Sequence, residues 1–313
     1  MILCCGEALI DFMPLEKSDS QIFYKPCPGG SSLNTAVALG RLNHNVGMLT
    51  GISNDLFGKQ LIAHREENNV DCSLVIRSNL DTTLAFVSAE SLAGNVEYAF
   101  YAKETADRSM SVENLPKSLP DNIEVLEFGS ISLVMEPSAS SYEHLMLRES
   151  TKRFISLDPN IRPDFIPDAL AFQKRFDNWL DHVDLVKLSN ADLEWLYPNS
   201  NIDDAVSYIL SKKVQAVFLT LGEKGAWAYT KNHQIFAETP VISVKDTVGA
   251  GDSFHAGLLH KLAMMDRLKF GQLKEIKKTE LHASLNFAME VAALTCTNTG
   301  ASSPKIDELQ PGD

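Results

Sequence analysis

The most chemically suggestive stretch of the chain is Val241–Asp266, VISVKDTVGAGDSFHAGLLHKLAMMD. Val241–Val244 reads as a strand, while Phe254, Leu258, Leu262 and Met265 recur at helical spacing. Between them lie Gly249, Ala250, Gly251 and Asp252. The two glycines let a ligand approach the backbone closely, and the unpaired N–H groups at a helix start carry the positive end of its dipole. Such a turn cradles an anion without any lysine or arginine. Asp252, in or beside the first helical turn, would set a carboxylate base next to that anion. Phosphoryl transfer to a hydroxyl needs those two groups side by side, because its loose transition state asks mainly for positioning and charge neutralisation. The same residues could also be no more than a tight turn and a helix cap.

A base and an anion cradle need a scaffold, and the rest of the chain reads as one. Apolar runs at Met1–Cys5, Val46–Thr50, Val125–Phe128, Phe154–Leu157, Leu185–Leu188 and Val214–Thr220 have the character of buried strands. Helix-period segments separate them at Leu33–Leu42, Gly58–Asn68, Ser138–Ser150, Ala169–Leu180 and Ala205–Ser211. This alternation predicts an α/β fold, a doubly wound and mainly parallel sheet with helices on both faces. Ile22–Lys25 and Thr83–Tyr101 break the pattern, the latter with strand-like runs joined by a loop at Ser91–Asn95 and no helix between them. They predict a small β-sheet lid over about 12–28 and 82–103, or else an antiparallel edge of the main sheet. With no linker, repeat or low-complexity tract, a single domain over 1–313 is expected.

Charge and cysteine content narrow the function classes. The 313 residues carry 28 Lys+Arg against 41 Asp+Glu, a net charge of −13. Such a surface repels phosphate backbones and anionic membranes, which argues against nucleic-acid or membrane partners. The five cysteines (Cys4, Cys5, Cys27, Cys72 and Cys296) are scattered, with no metal-ligand spacing, and read as buried free thiols in a reducing compartment. Glu7 and Asp11 interrupt the apolar start of the chain, and no basic segment precedes it, so a secretory signal is not expected. A soluble cytoplasmic protein is the expectation.

DTVGAGDSFHAGLL resembles the C-terminal signature of the ribokinase-like (PfkB-type) carbohydrate kinases. The N-terminal signature of that family is matched by Gly29-Gly30-Ser31-Ser32-Leu33-Asn34-Thr35-Ala36, by Ala38-Leu39-Gly40-Arg41-Leu42, and by Gly51 with Asp55-Leu56-Phe57-Gly58. The resemblance runs from Gly6-Glu7 to Gly300-Ala301 and is greatest with fructokinase-type members. It implies that Asp252 is the base that deprotonates the acceptor hydroxyl, and that the Gly249, Ala250 and Gly251 amides face the transferred phosphoryl group. It further implies sugar contacts from Asp11, Gly29, Gly30 and Asn34, types whose donors and acceptors suit a polyol. Leu157-Asp158-Pro159-Asn160-Ile161-Arg162 resembles the D-x-N-x-R strand end, which adds Asn160 and Arg162 to the sugar site, although Arg162 could be a loop residue paired with Asp164.

For the nucleotide, Leu219–Gly225 resembles the T-x-G-x-x-G turn and implies contacts from Thr220, Gly222 and Gly225. Lys187 and Ser189 lie where relatives bind phosphate and magnesium, with Asp192 in place of the usual glutamate. Asn286 matches a helix position beside the adenine. ATP and magnesium are thus the implied cofactors, with magnesium held by phosphates and water, and potassium beside Asp246 and Val248 as a further implication. Phe100 lies in a segment resembling the lid end of fructokinases. Ala102 stands where kinases of sugar acids carry an arginine, which favours a neutral sugar and names fructose. The resemblance leaves open a 2-keto-3-deoxygluconate or riboside kinase, and, in another class, an inactive sugar- or nucleotide-binding regulator. It also implies a homodimer through the lid.

Overall fold

Strands whose side chains are buried on both faces belong in the middle of a helix-covered parallel sheet. The computed structural model describes residues 1–15, 22–88 and 98–309 and shows such a sheet. Its parallel strands are β1 (Ile2–Cys5), β4 (Val46–Leu49), β6 (Val70–Asp71), β10 (Val125–Gly129), β11 (Phe154–Asp158), β12 (Leu185–Ser189) and β13 (Ala216–Thr220). Two antiparallel strands, β14 (Ala226–Thr230) and β15 (Gln234–Ala237), extend one edge, giving the order β15-β14-β13-β12-β11-β10-β1-β4-β6. The sequence did not signal that edge hairpin.

Alternate residues of β1 face opposite layers. Ile2 and Cys4 pack under α1 (Ser31–Arg41), α7 (Ala250–Met264) and α8 (Lys278–Cys296). Leu3 and Cys5 pack against α3 (Ser138–Glu149), α4 (Ala169–Trp179), α5 (Asn190–Leu196) and α6 (Ile202–Ser211). The helix α2 (Leu56–Glu67) begins two residues before the expected start because Asp55 caps it, its Oδ1 accepting from Gly58 N at 2.7 Å.

The strand-like insertion is a separate sheet rather than an edge of the main one. It holds β2 (Leu9–Pro14), β3 (Tyr24–Gly29), β8 (Leu84–Val87) and β9 (Tyr98–Tyr101) in the order β3-β2-β8-β9. β5 (Gly51–Ser53) and β7 (Ile76–Ser78) form a further two-stranded pair. Phe12 stacks on Phe86 at 4.4 Å, with Phe57, Tyr24 and Tyr101 edge-on around the pair. Each such pair contributes about 1 kcal/mol beyond area burial. Leu9, Ala85 and Phe100 instead meet Ile131, Met135 and Phe165, fastening the small sheet to the body. The expected loop Ser91–Asn95 lies outside the described residues.

Two expectations are corrected. Val241–Val244 is not a strand: Val241 is fully exposed, no strand pairs with the segment, and Lys245 N and Asp246 N donate instead to the Cys296 carbonyl at the end of α8. The segment is therefore carried as a loop against a helix. All five cysteines are free, but only Cys4 and Cys5 are buried, while Cys27, Cys72 and Cys296 are half-buried. Among the described residues, no helix is long and apolar enough to cross a membrane.

Candidate active site

The helices α1 and α7 start beside each other at the carboxyl ends of the central strands, each after a glycine whose backbone most residues avoid. Gly249 caps α7 at φ 76°, and a Cβ there would stand 2.6 Å from the Ala301 side chain. Gly30 caps α1 at φ 103°, against the Glu7 carbonyl. Only glycine takes both the conformation and the close approach without strain.

Asp252 sits in the first turn of α7 and is 6% exposed. Ser31 Oγ donates to its Oδ1 at 2.6 Å and Asn34 Nδ2 to its Oδ2 at 2.8 Å, both from the first turn of α1. Asn160 Nδ2 donates in turn to Ser31 Oγ at 2.9 Å. Burial raises the Asp252 pKa, and the negative charge of Asp158 adds to the rise, while Ser31, Asn34 and Lys187 oppose it. A carboxyl lifted above its ordinary value is a stronger proton acceptor than a surface aspartate.

Beneath the turn lies a buried ion pair. Lys187 Nζ donates to Asp158 Oδ2 at 2.8 Å, with both side chains under 5% exposed. A Cβ on Gly251 would stand 3.1 Å from that ammonium, so a positive charge lies directly under the glycine turn. Burial lowers Lys187, but Asp158, Asp192 and Asp252 outweigh it and its pKa rises. Burial likewise raises Asp158, but Lys187 and His255 outweigh it, so it stays ionised below its ordinary value. His255, three residues after Asp252, is fully buried with Nε2 2.8 Å from Ser156 Oγ and Nδ1 3.8 Å from Asp158 Oδ2.

The remaining expected residues fall into groups. Asp11, on β2, pairs in register with Cys27 of β3, and its carboxylate leans over Gly29 so closely that a Cβ there would strike it. Burial and the charges of Asp252 and Glu7 push Asp11 up to about 7. Ser189 and Thr220 end neighbouring strands in register, and Gly222 and Gly225 form the turn that follows, both at positive φ. Arg162 is exposed and folds back on Asn160, its Nη1 2.7 Å from Oδ1, rather than reaching Asp164. Asp246 Oδ1 accepts from Val248 N at 3.1 Å and Oδ2 from Gly300 N at 2.8 Å, tying that loop to the C-terminal turn. Phe100 packs edge-on against Phe165 at 4.6 Å in the joint between the sheets. Asn286 is exposed on α8, 3.3 Å from His282 Nδ1.

Asp192 is committed to the backbone. Its Oδ1 accepts from Ile161 N at 2.7 Å, and its Oδ2 from Ser189 N and Oγ at 2.8 and 2.6 Å. Among the described residues, no group of three or more His, Cys, Asp or Glu could hold a metal ion. The residues that motif reading left without a role are Ser31, Asp158, His255 and Glu7. All four lie inside recognisable motifs, but only the fold shows that they converge.

Residues 1–308 match the pfkB family carbohydrate kinases. The chain is 39% identical over 281 residues to a fructokinase of Rhizobium leguminosarum bv. trifolii, covering 90% of this chain and 85% of that protein. It superposes on an ATP-bound fructokinase from Xylella fastidiosa with a TM-score of 0.90 at 27% identity, covering 98% and 96% of the two chains. A fructokinase double mutant from Vibrio cholerae O395, with fructose, ADP and potassium bound, gives a TM-score of 0.82 at 26% identity, covering 96% and 93%. The chain belongs to the pfkB family of carbohydrate kinases.

The raised carboxyl of Asp11 has a consequence for stability. Above about pH 4 the unfolded carboxyl ionises while the folded one keeps its proton up to about 7, so the folded state holds the extra proton and stability falls as pH rises across that window. Asp11→Asn should therefore melt higher than the wild type at pH 8, with the difference vanishing by pH 4 in calorimetric scans. A difference independent of pH would show that Asp11 is not held in its neutral form by the fold.

Proposed function

We propose that this carbohydrate kinase is an ATP-dependent fructokinase, with Asp252 as the base that takes the proton of the acceptor hydroxyl. The observation that carries the reading is a buried, pKa-raised carboxylate fixed between two helix N-termini, with a lysine ammonium under the adjoining glycine turn. The N–H groups of Gly249 and Gly251 and the charge of Lys187 neutralise the transferred phosphoryl group, and Asp252 orients the attacking oxygen. The expected third donor, Ala250 N, instead closes the turn by donating to the Thr247 carbonyl at 3.2 Å. Asp11, Gly29, Gly30, Asn34, Asn160 and Arg162 hold the sugar, with Phe100 closing the joint behind it. Thr220, Gly222, Gly225 and Ser189 receive the nucleotide along the strand ends, and Asn286 lies toward its base. Magnesium enters on the nucleotide phosphates, and a monovalent cation sits beside Asp246 and Val248. Potassium is present in the Vibrio cholerae relative. Fructose is supported by the names of the relatives and by Ala102, which removes a cation suited to a sugar acid.

The small sheet serves as a lid in this reading and as the contact between two subunits. Tyr101 is 64% exposed and Tyr98 49% on this sheet, with Phe23 beside it at 51%, aromatic surface that a second subunit would cover. Sedimentation velocity should give a dimer, with Tyr101→Asp shifting it toward monomer. A monomeric wild type at micromolar concentration removes the dimer.

ADP release coupled to a dye, with fructose and other sugars as acceptors, tests the enzyme itself. Fructose should give the highest kcat/KM, and Asp252→Asn should lower kcat at least ~100-fold with little change in fructose binding. Sugar binding without turnover on any acceptor would make the chain a binding protein.

A further inference from the structure

Glu7 and Arg108 take no direct part in the proposed chemistry, yet each leaves a buried polar atom without a partner. They are Glu7 Oε2 and Arg108 Nε. Both residues line a cavity of about 10 Å³, with the polar Thr83, Asp107, Ser132 and Ser138 and the apolar Ile131 and Met135 around it. That volume holds one water molecule, and a site offering two to four polar partners is where a buried water is stable. The cavity lies where the small sheet joins the body: Glu7 precedes β2, Thr83 precedes β8, and Asp107 and Arg108 follow β9.

The two ends of this site reach opposite parts of the molecule. Glu7 Oε1 accepts from Ser31 N at 2.9 Å, and Ser31 Oγ holds Asp252 at 2.6 Å. Arg108 Nη1 donates to the carbonyl of Ala102, the first residue after β9. The Arg108 carbonyl accepts from Ser138 N at 3.2 Å, which anchors it to α3. Asp107 Oδ1 accepts from Thr83 Oγ1 at 2.5 Å and from Thr105 Oγ1 at 3.1 Å, so its charge is occupied within the joint. A water between Glu7 and Arg108 would complete one continuous hydrogen-bonded path.

We propose that Glu7 and Arg108, bridged by a single water in this cavity, are positioning residues that couple the end of β9 in the small sheet to the carboxylate of Asp252 through Ser31. The path makes the orientation of the base depend on the seating of the sheet that covers the sugar. Water-mediated contacts of this kind are nearly as favourable as direct ones, so the coupling is strong enough to measure. The proposal rests on the sugar-kinase reading of the site for its kinetic consequence, but not for the water itself.

The test therefore has two arms, both on the full chain. A crystal structure of the wild type at a resolution that shows ordered solvent should place one water within hydrogen-bond distance of Glu7 Oε2 and Arg108 Nε. A dry cavity, or one closed by a direct contact, overturns the proposal whatever the enzyme does and whether or not the variants fold. In the kinetic arm, Glu7→Gln and Arg108→Met should each lower kcat on fructose about fivefold with the KM for ATP unchanged. The double variant should be no slower than the slower single one, and Arg108→Lys should recover most of the loss. Losses that multiply to about 25-fold in the double variant would show two independent structural roles and overturn the coupling. A wild type with no turnover on any sugar would contradict the kinase reading, and the crystal structure alone would then decide the water.

Discussion

A carboxylate buried where two helices begin is the constraint on which the rest of this structure depends. Asp252 is bonded by Ser31 and Asn34 of α1 while sitting in the first turn of α7, so both helix dipoles present their positive ends to it. Neither helix could be displaced without losing a hydrogen bond to a nearly dry anion, a loss costing about 1.5–3 kcal/mol each. The two glycine caps, the close packing of α7 on α1 and α8, and the register of the strands below all serve that meeting point. On the proposed reading it also reconciles a net charge of −13 with an anionic ligand, since the attraction would come from backbone N–H groups and a buried ammonium rather than from the surface.

The acidity around the site is held in balance by placement. Asp158 and Lys187 neutralise each other, and removing either partner alone would strand a buried charge at about 3–5 kcal/mol. Glu127, in the row Cys4–Glu127–Ser156 across β1, β10 and β11, is pushed well above its ordinary value first by burial and then by Asp158 and Glu7. Its neutral form is thereby favoured over the charged one. Glu7 is raised to about 7 chiefly by burial. The site thus concentrates acids but limits how many of them ionise together, which leaves room for a phosphate.

Much of this was legible in the chain because glycine and aspartate at fixed spacing have few structural uses. Gly249, Gly251 and Asp252 announced the helix-start geometry, and the strand–helix alternation announced the parallel sheet. What stayed hidden depended on contacts distant in sequence. The Lys187–Asp158 pair joins two strands, and the Asp252–Ser31 bond spans most of the chain. Val241–Val244 misled because strand periodicity says nothing about whether a partner edge is free, and the β14–β15 hairpin escaped because its edge position needs no continuous apolar run. For Asp192 the sequence left open whether it replaces the usual glutamate, and only the fold shows its oxygens bracing Ser189 and Ile161.

What occupies the meeting point of α1 and α7 during transfer decides whether Asp252 is the base. A crystal structure with fructose, ADP and aluminium fluoride measures that directly. It should show the aluminium fluoride on the N–H groups of Gly249 and Gly251, within reach of Lys187, and one fructose hydroxyl between it and the Asp252 carboxylate. A fluoride bound elsewhere, or an Asp252 still held by Ser31 and Asn34 with no sugar oxygen against it, would contradict that role.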